Sequence, residues 1–153
     1  MSSRVVAWGV ALAFAGGLAT VTVQGGERAR SAALQEESSS VLDGVFTGAQ
    51  SRRGRRVYNQ NCASCHGAEL KGGEMAPSIA GNDFIVFWTE LPVGSLFERI
   101  KVSMPEDGPG RLSDEEYSDV VAYMLSESGY PSGDTEMPAD KEALDGIMIV
   151  AAE

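Results

Sequence analysis

Apolar residues are concentrated first at the start of the chain. Arg4 precedes residues 5–24, which contain no charged residue. An apolar run of this length behind a basic start is typical of a signal peptide or of a single membrane anchor. We interpret residues 1–25 as one of the two. The protein is therefore expected to be exported and periplasmic, either soluble or tethered to the cytoplasmic membrane through residues 5–24.

Regular periodicity is missing near both ends of the remaining chain. Residues 26–45 are rich in Ser, Glu, Gln and small residues, which predicts a flexible linker. Residues 131–153 follow the last predicted helix and form a C-terminal extension. Its short apolar run at 146–150 should either wrap the main domain or contact a partner. The folded domain is therefore predicted over residues 46–130.

A helical pattern begins at the start of this domain. Thr47 and Gln50 have the spacing of an N-terminal capping box, in which two side chains satisfy free backbone N–H groups. The pattern predicts a helix over residues 48–61. Gly54 and Tyr58 lie on its buried face. Because a glycine weakens a helix, Gly54 is expected to serve close packing.

The second strong pattern lies at the end of the domain. Ser113 and Glu116 form another capping box, and apolar residues then recur three or four positions apart until Gly129 ends the helix. Two weaker helices are predicted between the strong ones. Asn82 would cap the first, which runs to Trp88, and the second begins at Pro92 or Val93 and runs to Lys101. Four helices predict a small all-α domain.

The composition limits the kinds of binding and metal site that this chain can form. The chain has 153 residues, enough for one small domain, and its formal net charge is −10. Such an acidic protein is not expected to bind nucleic acid, which requires a basic surface. Two cysteines and a single histidine exclude sites that need two imidazoles from this chain.

Both cysteines and the histidine fall in one short segment. Cys62, Cys65 and His66 form the sequence C-x-x-C-H, which is the signature of covalent c-type haem attachment. The two thiols reach the two vinyl groups of the porphyrin, and the next residue turns its imidazole onto the iron. We therefore predict one covalently bound haem c, with His66 as an iron ligand.

Two other uses of this segment have to be weighed. Cys62 and Cys65 would form a redox-active disulfide if they started a helix after a strand, but no strand pattern precedes them. A zinc site would need a fourth ligand, and the chain has no further Cys or His. The pattern therefore favours haem over both alternatives.

His66 is the only histidine, so the sixth position of the iron would be filled by a Met or a Lys, or would stay open. Met75 lies only nine residues after His66, and Met124 belongs to the apolar side of the last helix. Met104 precedes Pro105 at the start of an irregular loop, so a stiff backbone presents its side chain. Met104 is the predicted ligand, and an open or weakly ligated iron is the alternative.

In combination these features make the chain resemble a class I mono-haem c-type cytochrome over about residues 45–130. The residues that carry the resemblance are Gly54, Tyr58, the C-x-x-C-H segment, Met104, Pro105 and the sequence VVAYM at 120–124. The resemblance implies about four helices wrapped around the haem. It also implies that Gly54 and Tyr58 pack against Val120 and Tyr123, where the first and last helices cross.

The resemblance further implies the surroundings of the haem. His66 is expected to donate its Nδ1–H to the backbone carbonyl of Pro77, which fixes the orientation of the imidazole. The indole N–H of Trp88 is expected to bond a haem propionate or a backbone carbonyl. Side chains of the two middle helices should form the walls that exclude water: Phe84, Phe87, Trp88 and Leu96.

A cytochrome of this class implies one-electron transfer between redox proteins, by an electron carrier rather than an enzyme. The donor would be a dehydrogenase or a quinol-oxidising complex, and the acceptor a terminal oxidase. The alternatives are a fixed subunit of a dehydrogenase or oxidase complex, and a haem enzyme or sensor with an open sixth site. The C-terminal tail is similar to those of cytochromes associated with quinoprotein dehydrogenases, which makes such an enzyme one candidate partner.

The charges are divided unevenly along the domain. Residues 44–101 hold seven basic and five acidic residues, whereas residues 102–153 hold two basic and thirteen acidic ones. Four of the basic residues fall between Arg52 and Arg56, on the first predicted helix. This asymmetry either orients an approaching partner or is an ordinary solvated surface.

Overall fold

Six α-helices form the frame of the computed structural model, which describes residues 39–151. They are α1 (Gly48–Asn61), α2 (Ala63–His66), α3 (Gly81–Trp88), α4 (Val93–Ser103), α5 (Asp114–Glu127) and α6 (Lys141–Asp145). The predicted all-α class is confirmed. Within these residues, no helix is long and apolar enough to cross a membrane. The interpreted leader, residues 1–25, and residues 26–38 of the predicted linker lie outside the described part of the chain.

Helix α1 has the predicted bounds, but its first turn is capped differently from the prediction. The hydroxyl of Thr47 accepts a hydrogen bond from the backbone N–H of Gln50 at 3.0 Å, which is half of a capping box. The buried amide of Gln50 instead donates to the carbonyl of Met137 at 2.9 Å and accepts from its N–H at 2.8 Å. The side chain expected to cap the helix therefore anchors the C-terminal extension to it.

Helices α1 and α5 pack closely because α1 contains a glycine at the contact. A side chain at Gly54 would overlap the backbone carbonyl of Asp119 and touch Tyr123. One turn farther along, the rings of Tyr58 and Tyr123 lie 5.5 Å apart between centroids. The expected contact between Tyr58 and Tyr123 is thus present, while the residue of α5 that faces the glycine is Asp119 rather than Val120.

The other predicted helices are present with shifted bounds. α3 begins at Gly81, so Asn82 lies inside the helix instead of capping it, and α4 extends to Ser103, two residues late. The hydroxyl of Ser128 accepts a hydrogen bond from the N–H of Gly81 at 3.1 Å, so a distant residue caps α3. α5 has both hydrogen bonds of the predicted capping box at Ser113. Gly129 follows the end of α5 in a left-handed conformation, with φ at 91°.

Two short strands join the beginning of the described chain to its end. β1 (Ser39–Ser40) runs parallel to β2 (Ile147–Met148). A 3-10 helix (Val41–Asp43) follows β1, and the side chain of Val41 is fully buried. These elements correct the prediction that residues 26–45 are flexible to their end. A local pattern could not reveal this order, because the pairing strand comes from the other end of the chain.

The C-terminal extension, residues 131–153, wraps the helical domain along its described part. Leu144 and Ile149 are fully buried. The N–H of Ile149 donates to the carbonyl of Leu91 at 2.9 Å, and its carbonyl accepts from the N–H of Glu90 at 2.9 Å. These bonds tie the extension to the turn between α3 and α4. Of the two outcomes expected for the tail, wrapping is the one observed.

Candidate haem site

A cavity of about 990 Å³ opens beside α2, and the end of α1, the loop after α2, and helices α3, α4 and α5 form its walls. Its volume lies at the upper end of the range of about 300–1,000 Å³ that is usual for ligand pockets. Predicted site residues from separate segments line it: Cys62, Cys65, His66, Pro77, Trp88, Leu96 and Met104. The fold therefore brings them around one space of cofactor size.

The C-x-x-C-H segment occupies a single helical turn. α1 ends at Asn61, and the carbonyl of Cys62 accepts hydrogen bonds from the N–H groups of Cys65 at 3.2 Å and His66 at 3.0 Å. This turn places both cysteines and the histidine on the wall of the same cavity. Cys62 is half-buried, Cys65 is exposed, and neither forms a disulfide bond.

The surroundings of the cysteines bear on the alternative uses of this segment. Burial raises the pKa of the Cys62 thiol to about 11, so the thiol is protonated at neutral pH. Redox-active C-x-x-C pairs need a lowered pKa instead. Within residues 39–151, no three Cys, His, Asp or Glu side chains are grouped closely enough to hold a metal ion. Burial of the Cys62 thiol therefore disfavours disulfide exchange by this segment.

The imidazole of His66 is buried, and a hydrogen bond at its Nδ1 side holds it in place. Its Nδ1 lies 2.9 Å from the carbonyl oxygen of Pro77, so Nδ1–H donates and the lone pair remains on Nε2. Two hydrogen bonds fix the loop between His66 and Pro77, and one of them comes from α1. The hydroxyl of Tyr58 donates to the carbonyl of Gly67 at 2.6 Å, and the N–H of Gly72 donates to the carbonyl of His66 at 2.9 Å.

Met104 is the first residue after α4. Its N–H donates to the carbonyl of Ile100 at 2.7 Å, and its carbonyl accepts from the hydroxyl of Tyr117 at 2.8 Å. The same hydroxyl accepts from the N–H of Gly110 at 3.0 Å. The ring of Tyr117 is buried edge-on against Phe97, with 6.4 Å between centroids. Tyr117 therefore holds both ends of the loop from Met104 to Gly110, which we call the methionine loop.

Two further methionines line the cavity. Met75 is 81% exposed and belongs to the same loop as Pro77, whose carbonyl faces His66. Met124 is buried in α5, as its place in the apolar pattern predicted, and it also borders the cavity. Met104 differs from Met75 because the hydrogen bonds of the methionine loop fix its backbone at the cavity wall, and it differs from Met124 because it follows a helix instead of belonging to the buried side of one.

The prediction for Phe84 requires correction. Phe84 is 1% exposed and does not line the cavity but packs against Tyr130, with 6.5 Å between ring centroids. It lies one helical turn before Trp88, which places it beyond the cavity and within the core. Phe87 lines the cavity but is 76% exposed, so it stands at the opening rather than forming a closed wall.

Sequence reasoning missed two arginines of the cavity wall. Arg99 comes from α4, and Arg111 follows the methionine loop and pairs with Asp107 at 3.6 Å. Guanidinium groups are suited to carboxylates such as the two haem propionates. The one signal in the sequence was the isolated positive charge of Arg111 within the acidic segment 102–153. Arg99 stood in no motif, and only the fold brings it to the cavity.

Comparison with known proteins gives a family match over this part of the chain. Residues 49–124 match the family described as cytochrome c oxidase, cbb3-type, subunit III. The chain is 32% identical over 79 residues to the cbb3-type cytochrome c oxidase subunit CcoP of Rubrivivax gelatinosus, which covers 51% of this chain and 26% of that protein.

Two further relatives are named for other complexes and activities. The cytochrome bc1 complex cytochrome c subunit of Mycobacterium tuberculosis is 30% identical over 126 residues, or 80% of this chain and 40% of that protein. The thiosulfate dehydrogenase of Stutzerimonas stutzeri is 30% identical over 100 residues, or 61% of this chain and 30% of that protein. The chain therefore spans less than half the length of each of these relatives.

The family match and the cavity describe the same residues. The matched range contains the C-x-x-C-H segment and Met104, and both line the cavity. Two thiols, an imidazole and a thioether around a largely apolar space suit a covalently bound haem by the chemistry of their donor atoms. Residues 49–124 therefore form a class I cytochrome c domain of the cbb3-type subunit III family, and this domain binds one haem c covalently.

Proposed function

We propose that this protein transfers single electrons through a haem c attached to Cys62 and Cys65 and ligated by His66 and Met104. The observation that carries the proposal is that Met104, far from His66 in sequence, lines the same cavity as the attachment segment. When bound, the haem supplies an iron that cycles between the ferric and ferrous states.

The two proposed iron ligands would have different tasks. His66 would offer Nε2 to the iron because Pro77 holds its Nδ1–H, and that bond keeps the ring from rotating. Met104 would supply a thioether sulfur, which favours the ferrous state relative to harder ligands. If His66 and Met104 both held the iron, it would have no open site for a substrate. The residues then support electron transfer and disfavour chemistry on a bound substrate.

Other residues of the wall exclude water and balance charge. Leu96 is buried, and Trp88 is partly buried at the end of α3. Trp88 lines the cavity, and its indole N–H would bond a propionate there. Arg99 and Arg111 would neutralise the propionates, since their guanidinium groups stand at the same cavity.

The partner proteins follow from the relatives only in outline. Two of the relatives are named as subunits of an oxidase or a bc1 complex, and a third as a dehydrogenase. We propose that this chain exchanges electrons with complexes of those kinds, a quinoprotein dehydrogenase included, in the periplasm. It would do so either as a shuttle or as a fixed subunit, and residues 5–24 would tether it if they are not removed.

Purification of the haem-loaded protein from its native membranes tests this function. Redox titration should give a single one-electron transition, and the reduced wild-type protein should not bind carbon monoxide. A stoichiometric complex with an oxidoreductase would identify a fixed subunit, whereas a monomer would identify a shuttle. Mass spectrometry of the mature N-terminus decides between a removed leader and an anchor. Tight carbon monoxide binding by the wild type would overturn the proposal in favour of a haem enzyme or sensor.

Replacing Tyr117 with Phe should loosen the methionine loop. The variant keeps the ring against Phe97 but removes the hydroxyl that bonds Met104 and Gly110. Loss of a buried hydrogen-bond partner costs about 1–3 kcal/mol. We therefore expect weaker Met104 ligation, seen as a lower midpoint potential and as binding of imidazole to the ferric protein.

The matched control is Tyr130→Phe, because that hydroxyl bonds the carbonyl of Val150 and lies outside the methionine loop. It should lose a similar free energy of unfolding and keep the wild-type potential. A potential that is equally unchanged in Tyr117→Phe would show that the hydroxyl does not position Met104.

A further inference from the structure

Three arginines of α1 lie exposed on its outer face. Arg52, Arg55 and Arg56 form no ion pair with any of residues 39–151, and the guanidinium of Arg56 only donates to the carbonyl of Arg52 at 3.2 Å. We call these three residues the arginine stripe. The stripe stands out because the rest of the chain holds an excess of acidic residues.

The fourth arginine of α1, Arg53, differs from the stripe because its side chain holds elements of the fold together. Arg53 forms two hydrogen bonds with the carboxylate of Asp119, at 2.8 and 2.9 Å, and two with that of Glu136, at 2.8 and 2.9 Å. It thereby joins α1, α5 and the C-terminal extension. The members of the arginine stripe form no such ion pairs within residues 39–151, so bonds of this kind do not explain them.

The like charges of the stripe also act against the helix. Arg52 lies three residues from Arg55 and four from Arg56, the spacings at which side chains on a helix are neighbours. Like charges at such spacings destabilise a helix by about 0.2–0.5 kcal/mol per pair. Three unbalanced charges kept at this cost are better explained by a partner that supplies the missing negative charge.

The arginine stripe lies in line with the haem site along α1. Arg52, Arg56 and Gln60 follow each other at intervals of four residues and therefore lie in one row along α1. Gln60 lines the cavity beside Cys62. At a rise of about 1.5 Å per residue, Arg56 stands about 6 Å along the axis from Gln60. A protein that contacts the stripe is thus brought next to the attachment segment.

We propose that the arginine stripe is a docking surface for the carboxylate-rich face of a redox partner protein, a proposal that rests on the proposed electron transfer. Guanidinium groups form paired hydrogen bonds with carboxylates and lose little solvation when they do so. The acidic residues of segment 102–153 repel such a partner from the rest of the molecule. Attraction and repulsion together would turn the attachment segment toward the partner.

A gold electrode coated with a carboxylate-terminated monolayer serves as a defined acidic probe. The haem-loaded wild-type protein, although acidic overall, should adsorb at low ionic strength and give a reversible one-electron wave. Adsorption should weaken as salt shortens the screening length to about 10 Å near 0.1 M. In the triple variant Arg52→Gln, Arg55→Gln, Arg56→Gln, the adsorbed amount should fall about tenfold.

The matched control changes the net charge by the same three units elsewhere. Ser132→Asp, Thr135→Asp and Ala143→Glu lie at exposed positions of the C-terminal extension. This variant should adsorb nearly as well as the wild type. Equal adsorption of wild type and triple-Gln variant overturns the docking surface, as does an equal loss in the control, which would point to net charge alone.

A second electrode with an amine-terminated monolayer distinguishes a failure of the docking surface from a failure of the proposed electron transfer. All three proteins should adsorb there through their acidic residues and give the same wave. If no reversible wave appears on either electrode, the proposed electron transfer fails. If the wave appears on the amine surface and the wild type does not adsorb to the carboxylate surface, the docking surface alone is refuted.

Discussion

Replacing Met104 with Ala should lower the midpoint potential and let carbon monoxide bind the reduced haem. Alanine removes the one thioether whose backbone is fixed at the cavity wall by bonds to Ile100 and Tyr117. Axial ligands set haem potentials over a range of about 0.8 V, and a methionine ligand raises the potential, so its loss should lower it. Redox titration and the absorption spectrum under carbon monoxide measure both effects.

A second methionine of the cavity wall, Met75, provides the control for this experiment. Met75 borders the same space but is 81% exposed and belongs to the loop that carries Pro77. Met75→Ala should keep the wild-type spectrum and potential. The opposite result, with Met75→Ala altered and Met104→Ala unchanged, would transfer the sixth-ligand role to Met75. If both variants match the wild type, the iron has no methionine ligand from either position.

The double variant Cys62→Ser, Cys65→Ser should lose covalent haem almost completely. Serine cannot form a thioether, so the haem would be held only by its axial ligands and the cavity wall. Denaturation should then release it, and the mass of the denatured chain should equal that of the polypeptide alone. Haem staining of a denaturing gel and intact mass spectrometry check the result.

Ser64→Ala is the matched control, because residue 64 lies between the two cysteines on the same helical turn. It should retain haem through denaturation. Haem that stays bound to the double variant after denaturation would contradict attachment at these two positions. The double variant should also unfold at a lower temperature, because a cavity of about 990 Å³ loses the group that fills it.

Local signals predicted much of the helical frame. The caps at Thr47 and Ser113 were predicted because a capping residue and the N–H group it satisfies are only three residues apart. Gly54 was recognised as a packing site because a glycine inside a helix needs a compensating reason. These signals failed where the partner was distant, as at Gln50, whose amide bonds Met137 instead of its own helix.

The residues of the candidate site also fall into two groups, those predicted from local spacing and those that only the fold brings to the cavity. Cys62, Cys65 and His66 are close in sequence, so their spacing alone predicts a covalently bound haem. Phe84 was misassigned because periodicity predicts that a residue is buried but not what buries it. Arg99 and Arg111 were missed because they are ordinary surface charges until α4 and the methionine loop meet at the cavity.

The sequence by itself determined the cofactor, the proximal half of its site and the bounds of the two strongest helices. Each of these depends on residues within about one or two helical turns, whose geometry is nearly fixed by the backbone. Only the tertiary structure decided which backbone groups hold Met104, which charges face the cavity and where the chain ends pack. Those contacts join distant segments, and their partners are selected by the packing of the whole domain rather than by local preference.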